Sequence, residues 1–229
     1  FTSEINTFRD SLQVGVSTLC AECTIVAGYE GNSDLTFKNK DVSFILTEDS
    51  KIWAFAQHPD GRTSDTIKTQ FYKLDDNLKL TLKSEYANQY SAGGDQALVD
   101  RQYGTANFRT GSWQGYQGQD FEAVLDLGEL KEHAEITIGF LQDIKSWIWY
   151  PTKVEVWVYY GDDVIEIYED YPGKGLEKKE GEMRTAVSVK LQRPSKKIKI
   201  AAKSIGPCPE WHLGAGGESW LFLDEIDVK

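Results

Sequence analysis

Three sets of residues in this 229-residue chain have the types and spacing to do chemistry. Asp224 and Glu225 are adjacent carboxylates near the end of the chain. Glycoside cleavage needs two carboxyls held roughly 5–10 Å apart across a cleft. This pair lies in the strand-like run Trp220–Val228, where successive side chains point to opposite faces. A dipeptide so placed is not a catalytic constellation. Cys20 and Cys23 have the C-x-x-C spacing of metal and redox sites. With no second pair and no nearby histidine, the expectation is buried or half-buried thiols on a strand. Cys208 sits between two prolines and is expected to be free. His58, His133 and His212 fall in turns or loops with no nucleophile elbow beside them. His58 is read as a surface turn and His133 as solvated. No catalytic residue is assigned.

The elements that must position any site are strands. Leu12, Val14 and Val16 alternate with polar neighbours, and Ile52, Ala54 and Ala56 alternate with Trp53 and Phe55. Ile67, Thr69 and Phe71 continue the pattern, and turn residues such as Asn32-Ser33-Asp34 and Pro59-Asp60-Gly61 bound these runs. About five strands before the polar break Asp75-Asp76-Asn77 predict a small β-sandwich over residues 1–76. Seven or eight further strands over residues 77–229 fit a two-sheet jelly roll. Between Ala87 and Gly118 the chain is rich in Gly, Asn, Gln and aromatics, as long functional loops are. The polar stretch Lys174–Arg184 predicts an exposed loop, and Trp157 and Trp220, on strands, are expected in the core.

Composition excludes some functions. Aromatics make up 12% of the chain and hydrophobic residues 40%, enough for real cores. The net charge of −11 repels phosphate backbones. Lys196, Lys197 and Lys199 alternate with Ile198 and Ile200, the pattern of a half-buried strand rather than a nucleic-acid patch. No apolar run approaches the ~20 residues of a membrane helix. The chain opens at Phe1, without a signal peptide, and reads as a piece of a longer protein whose export signal has been removed.

The run from Ala97 to Gly128, ALVDRQYGTANFRTGSWQGYQGQDFEAVLDLG, resembles the discoidin, or coagulation-factor type C, jelly roll. More narrowly, it is similar to the galactose-binding-like version at the C-termini of bacterial chitobiase-type β-hexosaminidases. GFLQDIKSWIWYP (139–151) and EWHLGAGGESWLFLDEI (210–226) agree, in the same order. KIWAFAQHPDGRTSDTIKTQFYKL (51–74) resembles the small Ig-like sandwich that follows the catalytic barrel of those enzymes. Their upstream Tyr-Thr-Leu-Asp-Gly motif is replaced here by TIVAGYEG (24–31).

The resemblance implies an all-β chain: an Ig-like β-sandwich, then a discoidin-like jelly roll. It implies a non-catalytic, carbohydrate-binding accessory region of a secreted, periplasmic or cell-surface bacterial glycoside hydrolase. The catalytic domain of the same parent chain would be a partner. The alternative is a spacer that braces that domain without a ligand. The resemblance also implies one structural Ca²⁺, held by the side chains of Asp100 and Glu225 with Thr105 and the carbonyl of Ala97. Alternatively, Arg101 neutralises an empty site. In jelly rolls of this type the loops at one end hold sugar, a terminal galactose- or N-acetylhexosamine-like residue. Loop candidates here are Arg109, Trp113, Gln114 and Tyr116, then Trp147 and Trp149, then Trp211 and His212. Trp113 and Tyr116, flanked by glycines expected to expose them, and Trp211-His212 lead that set. Against this, Trp149 could plug the end of the jelly roll, and the GSWQGYQG and WHLGAGG blocks could pack together as a clasp.

Overall fold

The computed structural model describes residues 1–3, 5–31, 36–132 and 134–229. The turn Asn32-Ser33-Asp34 and His133 lie outside the described residues. The chain forms two compact units, Phe1–Asp75 and Asp76–Lys229, and the polar run Asp75-Asp76-Asn77 straddles the division.

In the first unit, strands β1 (Thr7–Phe8), β3 (Thr24–Tyr29), β4 (Thr36–Asn39), β6 (Ser50–Gln57) and β7 (Ile67–Lys73) form one sheet, in the order β1-β7-β6-β3-β4. Strands β2 (Leu12–Val16) and β5 (Val42–Leu46) form a second. Alternation drives the closure. Val42, Phe44 and Leu46 of β5 point inward and join Val14, Ile25, Ile52 and Phe71 in one core. Cys20 and Cys23 depart from the expected thiols on a strand. They form a disulfide in the turn before β3, where Cys23 N–H donates to Cys20 O at 3.2 Å and the Cα atoms are 5.3 Å apart. The two-residue spacing folds back on itself, and a turn brings the sulfurs together where a strand would separate them.

The second unit is a sandwich of two antiparallel sheets. One has the order β13-β12-β15-β10-β8 and the other β14-β11-β16-β9. The first contains β8 (Lys79–Leu82), β10 (Phe121–Lys131), β12 (Lys153–Tyr160), β13 (Asp163–Asp170) and β15 (Ser195–Lys203). The second contains β9 (Gln114–Gln117), β11 (Glu135–Gln142), β14 (Met183–Lys190) and β16 (Trp220–Val228). Val154, Val156, Val158, Ile198 and Ile200 from one sheet meet Ile136, Ile138, Phe140, Leu223 and Ile226 from the other. The same alternation corrects the reading of Trp157. With the valines of β12 inward, Trp157 faces out, half-buried, beneath Lys199 Nζ at 4.9 Å. Trp220 is also half-buried, on the outer face against Tyr90 and Phe222.

Candidate functional site

Glycine spacing suggested that Trp113 and Tyr116 stand open. The structure seals them instead. Trp113 is 1% exposed and Tyr116 and Gln114 are 0% exposed. Gln114 and Tyr116 lie on β9, an edge strand inside the presumed loop region, hydrogen-bonded to β16. Gln114 Nε2 donates to Ser91 O at 3.2 Å and to Gly94 O at 2.7 Å, and Tyr116 OH donates to Gln114 Oε1 at 2.7 Å. Trp113 Nε1 donates to Thr105 O at 2.9 Å, and its ring lies where a Cβ on Gly104 would have to be. The glycines therefore let chain close over aromatics rather than expose them. Trp149 is buried too, its Nε1 donating to Glu177 O at 3.1 Å, the plug position. Arg109 is exposed, but its guanidinium stacks on Phe108, 4.1 Å from the ring centroid, in the loop region that contains Trp113.

A different set of aromatics is open at one rim. Trp147 is 36% exposed, Trp211 44% and Leu213 105%. Trp147 ends the short turn Ile144–Ser146 with φ +65°, a left-handed conformation few non-glycine residues adopt. Backbone bonds hold it there: its N–H donates to Ile144 O at 3.0 Å, and Trp220 N–H donates to its carbonyl at 2.7 Å. Its ring rests on the loop 207–217, where a Cβ on Gly214 would come within 2.5 Å of it and one on Gly217 within 2.8 Å. His212 sits between three tryptophans. Its ring meets Trp147, Trp149 and Trp211 edge-on, at centroid distances of 6.4, 4.9 and 5.8 Å. Both ring nitrogens are engaged: Nε2 donates to Ile144 O at 2.8 Å and Nδ1 accepts from Gly214 N–H at 3.1 Å. His212 is thus the post that orients the two open indoles. Lys178 Nζ lies 5.4 Å from the Trp211 ring centroid, a polar neighbour that sequence reading assigned only to an exposed loop.

The carboxylates form a second cluster. Asp224 and Glu225 are 1% and 2% exposed, not split between two faces as simple alternation predicts. The pairing of β16 with β11 jumps from Ile226↔Ile138 to Leu223↔Phe140, so two residues oppose the single Gly139. This bulge turns both acids out of alternation. The loop after the turn Ala97–Val99 is stitched to them. Arg101 N–H donates to Glu225 Oε2 at 3.0 Å, Gly104 N–H to Asp224 Oδ2 at 2.9 Å, and Tyr103 OH to Asp227 Oδ2 at 3.1 Å. Arg184 Nη2 also donates to Asp224 Oδ2, at 2.6 Å. Arg184, Asp224, Glu225 and Asp227, together with Tyr103 and Gly139, line a cleft of about 470 Å³.

Burial, and after it the charge of Asp100, push the Glu225 carboxyl up to about 9. Burial also raises Asp100, to about 6. Asp224 is raised by burial against the opposing pull of Arg184. Of the four residues implied as calcium ligands, Asp100 acts on Glu225 through its charge, and the Ala97 turn packs on β16. Thr105 is tied elsewhere, its hydroxyl donating to Asn107 O at 3.1 Å. The Arg101 side chain reaches toward Asp227, with Nε 3.7 Å from Oδ1.

A scan against family models matches none, and no curated protein matches the sequence. Among solved structures, the chain is similar to CpGH89CBM32-5 from Clostridium perfringens in complex with GalNAc-β-1,3-galactose. There the identity is 19%, covering 66% of this chain and 94% of that one, with a TM-score of 0.41. It is also similar to the family 32 carbohydrate-binding module of C. perfringens NanJ in complex with galactose (16% identity, 66% and 93% covered, TM-score 0.39). A structure concerned with promiscuous carbohydrate-binding modules of the β-sandwich superfamily spans 99% of this chain and 95% of its own, at 8% identity and TM-score 0.38. At these values the likenesses transfer no residue role and no ligand to this chain; its β-sandwich architecture is read from its own sheets.

Proposed function

We propose that this chain is a non-catalytic, carbohydrate-binding accessory region of a bacterial glycoside hydrolase, of the chitobiase/β-hexosaminidase type that its sequence blocks resemble. The sugar is held at the rim formed by Trp147, Trp211 and His212. One observation carries the reading: two large indoles stand open on adjacent loops, each held by packing against glycine backbone or a fixed histidine. A rigid, half-exposed indole offers a flat apolar face for the C–H side of a pyranose at little ordering cost. Lys178 beside Trp211 supplies hydrogen-bond donors for hydroxyls. Terminal galactose- or N-acetylhexosamine-like sugars are the ligands the resemblance implies. A single such site binds weakly, with a Kd near 1 mM corresponding to about −4 kcal/mol. Its use is to raise the effective concentration of a linked enzyme on its substrate. The Cys20–Cys23 disulfide suits export to an oxidising compartment. Among the described residues, no helix is long and apolar enough to cross a membrane.

Calcium fits the acidic cluster. Glu225 Oε1 is buried without a hydrogen-bond partner, and the charge of Asp100 bears on the same carboxyl. A buried acid and a half-buried one whose charges repel suit a hard cation, which would neutralise both. Among the described residues, no three His, Cys, Asp or Glu side chains are grouped to hold a metal. An ion there would rest on Asp100 and Glu225 with the Ala97 carbonyl and, by a lone pair of the hydroxyl that donates to Asn107 O, Thr105. Bound there, it would supply charge balance and cross-link loop 97–105 to β16.

The exposed Leu213 favours a second reading, in which the rim docks against the catalytic domain of the parent chain. A glycan array probed with the full chain separates the two. Binding to galactose- or N-acetylhexosamine-terminated glycans that Trp211→Ala abolishes supports the sugar site. No binding to any glycan overturns it and leaves the docking role.

A further inference from the structure

We infer that Arg184 is a positioning residue for the cation site: a positive side chain that strengthens the binding of a positive ion. The inference rests on the calcium reading above, and goes beyond it in naming what pre-forms the site.

The argument starts at Asp224. This carboxylate is 1% exposed and is the chain neighbour of Glu225 within the bulge opposite Gly139. Its Oδ2 accepts two hydrogen bonds, from Gly104 N–H at 2.9 Å and from Arg184 Nη2 at 2.6 Å. Gly104 immediately precedes Thr105, one of the candidate ligands. Asp224 therefore holds both sides of the site at once, Glu225 through the chain and Thr105 through Gly104. Its other oxygen, Oδ1, is buried without a partner and lies over Gly139, which has no Cβ to displace it. Arg184 is the only side chain shown hydrogen-bonded to this acid among the described residues, and its own side chain is 41% exposed in the cleft. Removing it leaves a buried carboxylate with backbone donors alone, from Gly104 and Glu225. The stable response is for that carboxylate to turn toward water in the cleft, which releases Gly104 and unsettles the loop.

Simple electrostatics predicts the opposite sign. Deleting a positive charge near a cation site should tighten cation binding. The two accounts therefore separate cleanly in Arg184→Met.

The test is a titration of the full chain with CaCl₂ by calorimetry, repeated with Tb³⁺ luminescence. Trp113, whose indole donates to Thr105 O, is placed to sensitise terbium. Wild type is expected to bind one ion. Arg184→Met is expected to bind it about 10–100-fold more weakly, the usual loss when an outer partner of a metal ligand is removed. Arg184→Lys keeps a donor of the same charge and is expected to recover most of that loss. It also serves if the methionine variant does not fold, since an affinity for Arg184→Lys far below wild type with unchanged circular dichroism would contradict rescue by charge. Equal or tighter binding by Arg184→Met overturns the inference while leaving calcium in place. Failure of wild type itself to bind either ion overturns the calcium reading, and this inference with it.

Discussion

Asp224 and Gly139 fit each other across the sheet: the Asp224 Oδ1 atom occupies the space a Cβ on Gly139 would take. The fit depends on the bulge that sets Asp224 and Glu225 opposite this one residue. It makes Gly139 a packing requirement of the charge cluster rather than a weak point of β11. Gly139→Ala should push Asp224 off Arg184 and Gly104. The expected loss is at least ~2 kcal/mol, below the ~3–5 kcal/mol of breaking a buried ion pair outright. Urea unfolding with an unchanged m-value measures it, and a neutral result would mean the bulge relaxes freely.

The tryptophans divide into two classes with opposite expected responses. Trp113→Ala removes a sealed ring from the cluster of Phe108, Leu141, Ile148 and Phe222, and should cost ~3–5 kcal/mol. Trp211→Ala removes a ring that is 44% exposed and should change stability by no more than ~0.5 kcal/mol. Thermal unfolding of both variants checks the division; a large loss at Trp211 would mark it as structural.

Stability should depend on pH through Glu225. Its carboxyl is raised from the ordinary value of 4.5 to about 9 in the fold. The folded state therefore holds a proton that the unfolded state has released, between those two values. Stability is highest below the unfolded value and falls as pH rises toward the folded one. Asp100, raised to about 6, acts in the same direction over a shorter window. In EDTA the melting temperature should fall steadily from pH 5 to pH 9. Calcium, which favours the ionised acids, should flatten or reverse that slope. A melting temperature that rises with pH in EDTA, or that calcium leaves unchanged, would contradict this account.

Much of the fold was legible in the period-two pattern, because inward valines and isoleucines such as Val154, Val156 and Val158 record the sheet directly. Strand β9 was not legible, since GYQ carries glycine and polar residues that read as loop. The same residues gave the wrong exposure for Trp113 and Tyr116. Glycine beside an aromatic signals close approach of backbone to ring, and the pattern does not say whether that ring is covered, as Trp113 is by Gly104, or displayed, as Trp147 is by Gly214. Trp211 and His212 lie in a loop of the same composition, and the geometry leaves Trp211 open and half-buries His212. Arg184 and Gly139 went unseen because their roles depend on a register shift that no local pattern announces.

The sugar platform is tested most directly by the indole N–H signals of the seven tryptophans in a ¹⁵N spectrum, followed as the tightest glycan from the array is added. The account predicts that Trp147 and Trp211 shift in a saturable way. Trp113 and Trp149, whose indoles are bonded to Thr105 O and Glu177 O, should stay in place. Saturable binding that leaves Trp147 and Trp211 unmoved would contradict it.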